Sequence, residues 1–180
     1  GVGEYSWGDI WADMFYGKVQ GLLACGMNGV AIGPNSQKNI DALKQADWLA
    51  VCDIYPDETS EFWKSPGIAT AEMKNIKTEV YRLPGAGFAE KDGTFVNSAR
   101  WLQWKWAALP PPADAKLDQE ILAQIFLTVR DLYKKAGGKF PDPVLHLTWT
   151  YTVPGNPSLS AVAPETHGNA PDNCRAKPPP

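Results

Sequence analysis

The sequence predicts an α/β fold, namely a three-layer α/β/α lobe with a small, mostly parallel, Rossmann-like but incomplete sheet. Short apolar runs alternate with amphipathic stretches through the first half of the chain, and this alternation is typical of parallel sheets. Two of the runs are apolar throughout, which predicts strands that are covered on both faces. A sheet of about three strands is thin, so we expect other segments to complete it.

The first half of the chain is predicted to alternate between helix and strand. Apolar residues at helical spacing predict a helix over Gly8–Lys18, with Asp9 as its N-cap and Gly17 as its stop. The remaining predicted elements are the strands Val19–Cys25, Trp48–Tyr55 and Thr78–Leu83, a helix over Gln37–Ala46 capped by Ser36 with Ile40 and Leu43 inward, and a helical turn over Asp57–Trp63.

The second half contains the clearest helix, Asp118–Ala136, whose apolar residues form one stripe. Acidic residues in its first turn and lysines in its last turn favour the helix dipole. Before it, a turn at Asp92-Gly93 leads into an extended aromatic stretch. We expect one folded lobe over residues 1–153 and a Pro-rich, disordered tail over residues 154–180.

Composition excludes several classes of function. The chain has 180 residues and a formal net charge of −3, so it lacks the basic footprint of a nucleic-acid-binding protein. No apolar run is long enough to insert into a membrane. The three cysteines form no C-x-x-C pair, so we expect no zinc or iron–sulfur site built by this chain alone.

A glycine-rich loop, Gly26–Pro34, follows the first predicted strand, and Asp53 follows the second. Ligands of doubly wound sheets bind at the carboxyl ends of the strands, where such loops converge. This arrangement favours a nucleotide with its phosphate near the loop and its sugar or base near Asp53. The glycine spacing departs from G-x-G-x-x-G, and a tight turn required only for packing explains the loop equally well.

Three ordered motifs resemble blocks of the molybdopterin oxidoreductase superfamily. They are CGMNGVAIGPNS, DIYPDETSEFW and LPGAGFAEKDGTFVNSARWLQW. Within the superfamily, the tryptophan-rich segments resemble the catalytic subunit of respiratory formate dehydrogenases, particularly the molybdenum or tungsten enzymes of sulfate-reducing bacteria. The resemblance runs from about Tyr5 to Ser158, and it indicates a middle segment of that subunit.

The resemblance implies a cofactor, molybdopterin guanine dinucleotide, and five residues that bind it. Asn28 matches the residue whose amide and adjoining backbone touch the dinucleotide, with Gly29 in place of the family's usual proline. Cys52, through its main chain, and Asp53 match the nucleoside end, and an ionised carboxylate there accepts hydrogen bonds. Lys91 suits a pyrophosphate or pterin oxygen. Asp118 matches a residue at the guanine edge.

Two of these assignments keep a simpler alternative. A solvated lysine in a turn is the less favoured alternative for Lys91. For Asp118, capping of its helix explains the residue equally well. The tryptophans Trp101, Trp104 and Trp106 suit packing between lobes better than base stacking.

The resemblance implies oxidation of formate to CO2, with two-electron transfer at a molybdenum or tungsten bis-pterin centre. Neither the metal ligand of such enzymes nor a catalytic residue has a match here, and the [4Fe–4S] cluster motif belongs to the full-length subunit. We therefore expect this chain to be inactive alone. Its expected partners are the remaining segments of the catalytic subunit and an iron–sulfur electron-transfer subunit, and its expected location is the periplasm.

Two other functions remain open. One is a segment of a related molybdopterin oxidoreductase that acts on nitrate, thiosulfate or a sulfoxide, because substrate choice depends on residues near the metal. The other is a non-catalytic binding or scaffold module, which the many tryptophans and the Pro-rich tail favour.

Overall fold

A computed structural model describes residues 6–147. The chain divides into two units, the first running to Ala86 and including Ala113–Ala115, and the second comprising Gly87–Pro112 and the residues from Lys116 onward. The predicted end of the lobe at residue 153 and the predicted tail over residues 154–180 lie outside the described residues.

The first unit is an α/β structure with a three-stranded parallel sheet of order β1-β2-β3. Its elements are α1 (Trp7–Phe15), β1 (Gly21–Cys25), α2 (Gly29–Ile32), α3 (Ser36–Leu43), β2 (Trp48–Asp53), a 3-10 turn (Phe62–Lys64), α4 (Thr70–Met73) and β3 (Glu79–Pro84). The predicted α/β class and small parallel sheet are confirmed.

The N-caps of two helices differ from the prediction. Ser6, not Asp9, caps α1, and Asp9 instead completes a capping box by accepting the Ser6 amide hydrogen at 2.9 Å. Asn35, not Ser36, caps α3, since its side chain accepts the Lys38 amide hydrogen at 3.1 Å. In both cases two polar residues within three positions of each other were able to cap, and the sequence pattern did not distinguish them.

One face of the sheet carries the hydrophobic core of the first unit. Helices α1 and α3 pack there, with Met14, Leu43 and Leu49 fully buried. The opposite face presents Trp48, which is 43% exposed, and Tyr81, which is 48% exposed. In the described residues of this unit, α1 and α3 cover one face of the sheet, and a layer of helices on the opposite face stays a prediction.

Up to residue 147, the second unit contains an antiparallel hairpin and two helices. The elements are a 3-10 turn (Phe88–Glu90), β4 (Gly93–Val96), β5 (Leu102–Lys105), α5 (Asp118–Ala136) and α6 (Pro141–Leu145). The predicted bounds of α5 are confirmed. Its predicted apolar stripe is partly exposed, at Leu122, Ile125 and Leu132. No helix among residues 6–147 is both long and apolar enough to span a membrane.

Candidate functional site

An open cavity of about 210 Å³ lies at the carboxyl ends of β2 and β3, where the fold places ligands in α/β proteins. Ligand pockets usually measure about 300–1,000 Å³, so this cavity is large enough for one part of a nucleotide and too small for a dinucleotide. It is lined by Val51, Asp53, Ile54, Tyr55, Pro56, Ser60, Arg82, Leu83 and Pro84.

Asp53 is the acidic group of this cavity and ends strand β2. One carboxylate oxygen accepts the backbone hydrogen of Ile54 at 2.7 Å, which fixes the side chain where the strand turns. A carboxylate has about four acceptor positions, so most of its hydrogen-bonding capacity can serve a ligand. Ile54 and Tyr55 beside it are more than half exposed.

The cationic group of the cavity, Arg82, already has an ion-pair partner. Arg82 donates to Glu61 at 3.0 Å, and Lys64 lies 2.8 Å from the same carboxylate oxygen. The hydrogen bond from Lys64 is the main cause of the lowered pKa of Glu61. Glu61 therefore remains ionised at neutral pH, and the carboxylate of Asp53 is the group with capacity for hydrogen-bond donors.

Cys52, which precedes Asp53, is only 1% exposed. Its carbonyl oxygen accepts the backbone hydrogen of Gly26 at 2.8 Å. A Cβ atom at Gly85 would lie 3.1 Å from the Cys52 sulfur, so the thiol packs closely against that glycine. The main chain of Cys52 thus connects the glycine loop to the strand that carries Asp53.

Asn28 organises the glycine loop through its side chain. Its amide oxygen accepts the Ala31 backbone hydrogen at 3.2 Å and thereby caps α2. The same oxygen accepts the hydroxyl hydrogen of Thr59 at 3.0 Å, and the amide nitrogen donates to Glu58. That hydrogen bond is the main cause of the lowered pKa of Glu58. The predicted contact of Asn28 with a cofactor stays a prediction.

Backbone conformation explains one glycine of this loop, and neighbouring protein atoms explain two others. Gly26 has a φ of +61°, a conformation that side chains disfavour. A Cβ atom at Gly29 would lie 2.6 Å from the ring of Trp11, and one at Gly33 would lie 2.5 Å from the amide of Asn39. Packing against Trp11 and Asn39 therefore explains why positions 29 and 33 are glycine. Position 29 is the one where the resemblance leads us to expect proline.

Sequence reasoning missed Thr59, the residue that connects the loops after β1 and β2. It is fully buried, and its hydroxyl oxygen accepts the backbone hydrogen of Val30 at 3.0 Å while donating to Asn28. Both contacts join residues that are about thirty positions apart, so no local pattern reveals them. The D-E-T motif that contains Thr59 is the sequence feature that could have drawn attention to this residue.

Lys91 and Asp118 lie in the second unit and form an ion pair. Asp118 is the first residue of α5, and Leu117 occupies the N-cap position. Helix capping by Asp118, the simpler alternative, stays a prediction. Lys91 also lines an open cavity of about 430 Å³ beside Glu90 and Asp92.

Lys105 supports the backbone around Lys91. Its ammonium donates to the carbonyl oxygens of Phe88 and Lys91, and it lies 4.3 Å from the centre of the Phe88 ring. Burial is the main cause of the lowered pKa of Lys105, and the charge of Lys91 adds to it. These contacts fix the turn that presents Lys91.

Comparison with known proteins gives formate dehydrogenase subunits as relatives over most of the chain. No protein-family model matches it. The chain is 41% identical to the formate dehydrogenase-O major subunit of Escherichia coli (strain K12), across 93% of this chain and 18% of that protein. It is 38% identical to formate dehydrogenase subunit alpha of Megalodesulfovibrio gigas, across 83% of this chain and 14% of that protein. The nitrate reductase of Klebsiella oxytoca is 26% identical across 65% of this chain. The chain spans less than a fifth of the length of these curated relatives.

Proposed function

This chain is a homologue of one segment of formate dehydrogenase major and alpha subunits, and from that relationship we propose that it forms one wall of a molybdopterin guanine dinucleotide site. The single observation that carries the proposal is the position of Asp53, in a cavity at the carboxyl ends of parallel strands and beside an ordered glycine loop. In the whole enzyme, a bound molybdenum or tungsten ion with its pterins would supply the two-electron oxidation of formate to CO2.

The residues present fit a guanine nucleoside. Guanine offers two N–H donors on one edge and ribose offers hydroxyl donors, and the Asp53 carboxylate accepts hydrogen bonds only. The exposed ring of Tyr55 lies beside it and gives a flat base an aromatic surface. The volume of about 210 Å³ suits a base or a sugar, so the rest of the dinucleotide would contact other parts of the subunit.

In the second unit, Lys91 and Asp118 are proposed to bind the same class of ligand. The ammonium of Lys91 carries a point charge that suits a pyrophosphate or pterin oxygen, and the carboxylate of Asp118 suits a guanine edge. Their ion pair keeps the two side chains together and neutralises each charge until a ligand takes up the contacts. Asn28 and Cys52 position the glycine loop of the first unit.

The test is a calorimetric titration of the chain with GMP. Hydrogen bonds to a charged group contribute about 1.5–3 kcal/mol, so Asp53→Asn should weaken GMP binding about tenfold to a hundredfold. The asparagine oxygen can still accept the Ile54 backbone hydrogen, which preserves the turn. AMP, whose matching edge lacks the paired donors, should bind more weakly than GMP to the unchanged chain.

The matched control is Asp47→Asn. Asp47 is an exposed aspartate that immediately precedes β2, at the opposite end of the strand from Asp53. This substitution should leave GMP affinity unchanged. Equal weakening by Asp47→Asn and Asp53→Asn, or no GMP binding at millimolar ligand, would contradict the proposal and favour a scaffold module.

The nitrate reductase relative supports a second candidate, a segment of a molybdopterin oxidoreductase with a different substrate such as nitrate, thiosulfate or a sulfoxide. The higher identity and broader coverage of the formate dehydrogenases favour formate. The remaining subunit segments and an iron–sulfur electron-transfer subunit are the proposed partners, and the periplasm is the proposed location. Sequencing the flanking gene distinguishes the candidates, because selenocysteine or cysteine followed by histidine indicates a formate dehydrogenase.

A further inference from the structure

Two cysteines lie side by side at the strand ends. Cys25 is the last residue of β1, and Cys52 is its partner in the parallel register of β1 and β2. Neighbouring strands are about 4.8 Å apart, and disulfides join Cα atoms that are about 4.4–6.8 Å apart. The spacing of the two strands is therefore compatible with a disulfide between these residues.

The two side chains also lie on the same face of the sheet. Side chains alternate between faces along a strand, and Gly21 and Trp48 are the register partners four residues before Cys25 and Cys52. A Cβ atom at Gly21 would lie 2.1 Å from the Trp48 ring, so positions 21 and 48 share a face. Positions 25 and 52 lie four residues further along each strand, so they share that face as well.

The exposure of the two thiols differs, and the difference assigns them separate chemical roles. Cys25 is exposed, and Cys52 is 1% exposed. An exposed thiol reacts first with a soluble disulfide, and a buried neighbour then resolves the mixed disulfide. We propose that Cys25 and Cys52 form a reversible redox site, with Cys25 as the attacking thiol and Cys52 as the resolving thiol.

The reaction uses a small disulfide such as oxidised glutathione. The Cys25 thiolate attacks one glutathione sulfur, and the first reduced glutathione leaves as a mixed disulfide forms on Cys25. The Cys52 thiolate then attacks the Cys25 sulfur, which forms the Cys25–Cys52 bond and releases the second reduced glutathione. The two protein thiols are thereby oxidised, and one glutathione disulfide is reduced to two thiols.

The Cys25–Cys52 bond would link the ends of β1 and β2, directly before the two segments that form the proposed nucleotide site. Gly26, the first residue of the glycine loop, follows Cys25, and Asp53 follows Cys52. Oxidation would therefore restrict both segments at once. The thiol reaction requires no bound cofactor, so its test does not depend on whether the chain binds a guanine nucleotide.

The test uses the full chain with Cys174→Ser, which leaves Cys25 and Cys52 as the only cysteines. The protein is equilibrated in buffers of rising oxidised-to-reduced glutathione ratio, and its thiols are then alkylated and mapped by peptide mass spectrometry. We expect both thiols to disappear together, with a Cys25–Cys52 disulfide peptide that excess dithiothreitol removes. Loss of one thiol without the other, or retention of both, would overturn the proposal.

Single variants test the two roles. In the Cys174→Ser background, Cys52→Ser should accumulate a stable glutathione adduct on Cys25, because the resolving thiol is absent. Cys25→Ser should leave Cys52 unmodified under the same conditions. Modification of Cys52 in the absence of Cys25 would contradict the assigned order of attack. Circular dichroism of each variant checks that the fold is intact.

Discussion

Replacing Thr59 with valine is expected to lower the free energy of unfolding by about 1–3 kcal/mol, the cost of leaving a buried polar group without a partner. Valine has nearly the same shape as threonine but lacks the hydroxyl. The buried backbone hydrogen of Val30 would lose its acceptor, and Asn28 would lose a donor. Urea denaturation followed by tryptophan fluorescence measures the change.

The control for this prediction is Thr59→Ser, which retains the hydroxyl and removes one methyl group. It should be more stable than Thr59→Val if the hydrogen bonds matter more than the methyl contact. Hydrogen exchange adds a local measurement, since the Val30 amide should exchange faster in Thr59→Val. A valine variant as stable as the native chain, with unchanged exchange at Val30, would show that the hydroxyl does not hold the loop.

Replacing Gly29 with alanine is expected to destabilise the first unit by about 1–3 kcal/mol, the usual cost of overpacking a core. The added methyl group would lie 2.6 Å from the Trp11 ring and 3.1 Å from the Trp7 ring. Trp11 is 3% exposed, so its ring has little room to move away. The same denaturation measurement applies to this variant.

Two further variants isolate the clash. The double variant Gly29→Ala with Trp11→Phe should be more stable than the sum of its single substitutions predicts, since the smaller ring leaves room for the methyl group. Gly8→Ala is the matched control, because a Cβ atom there meets only Ser6 at 3.7 Å and alanine favours helix α1. Additive effects in the double variant would rule out contact between residue 29 and Trp11 as the cause.

Local patterns predicted the elements of the fold because their causes are local. Two apolar runs and one alternating run, Thr78–Leu83, predicted the three parallel strands, and the charged ends and closing glycine of α5 predicted its bounds. The N-caps of α1 and α3 depended on which of two polar neighbours reached the backbone, and residue type alone does not decide that. The stripe of α5 identifies its apolar face but carries no information on what covers it.

For the candidate site, the general rule for parallel sheets placed Asp53 at the mouth of a cavity. The same rule did not explain the glycine loop, because its close neighbour Trp11 comes from a helix earlier in the chain. Thr59 was missed for a related reason, since its partners are about thirty residues away. The pairing of Lys91 with Asp118 joins residues 27 positions apart, and the resemblance named both residues without predicting their contact.

A two-dimensional NMR titration of the isotope-labelled chain with GMP tests directly whether guanine binds at the carboxyl ends of the parallel strands. We expect chemical-shift changes to concentrate at the backbone amides of Gly26, Asp53, Ile54 and Tyr55, and we expect Asp53→Asn to reduce them strongly. Shift changes confined to the amino ends of the strands, near Gly21 and Trp48, would contradict a guanine site at the carboxyl ends, and so would a spectrum that GMP leaves unchanged.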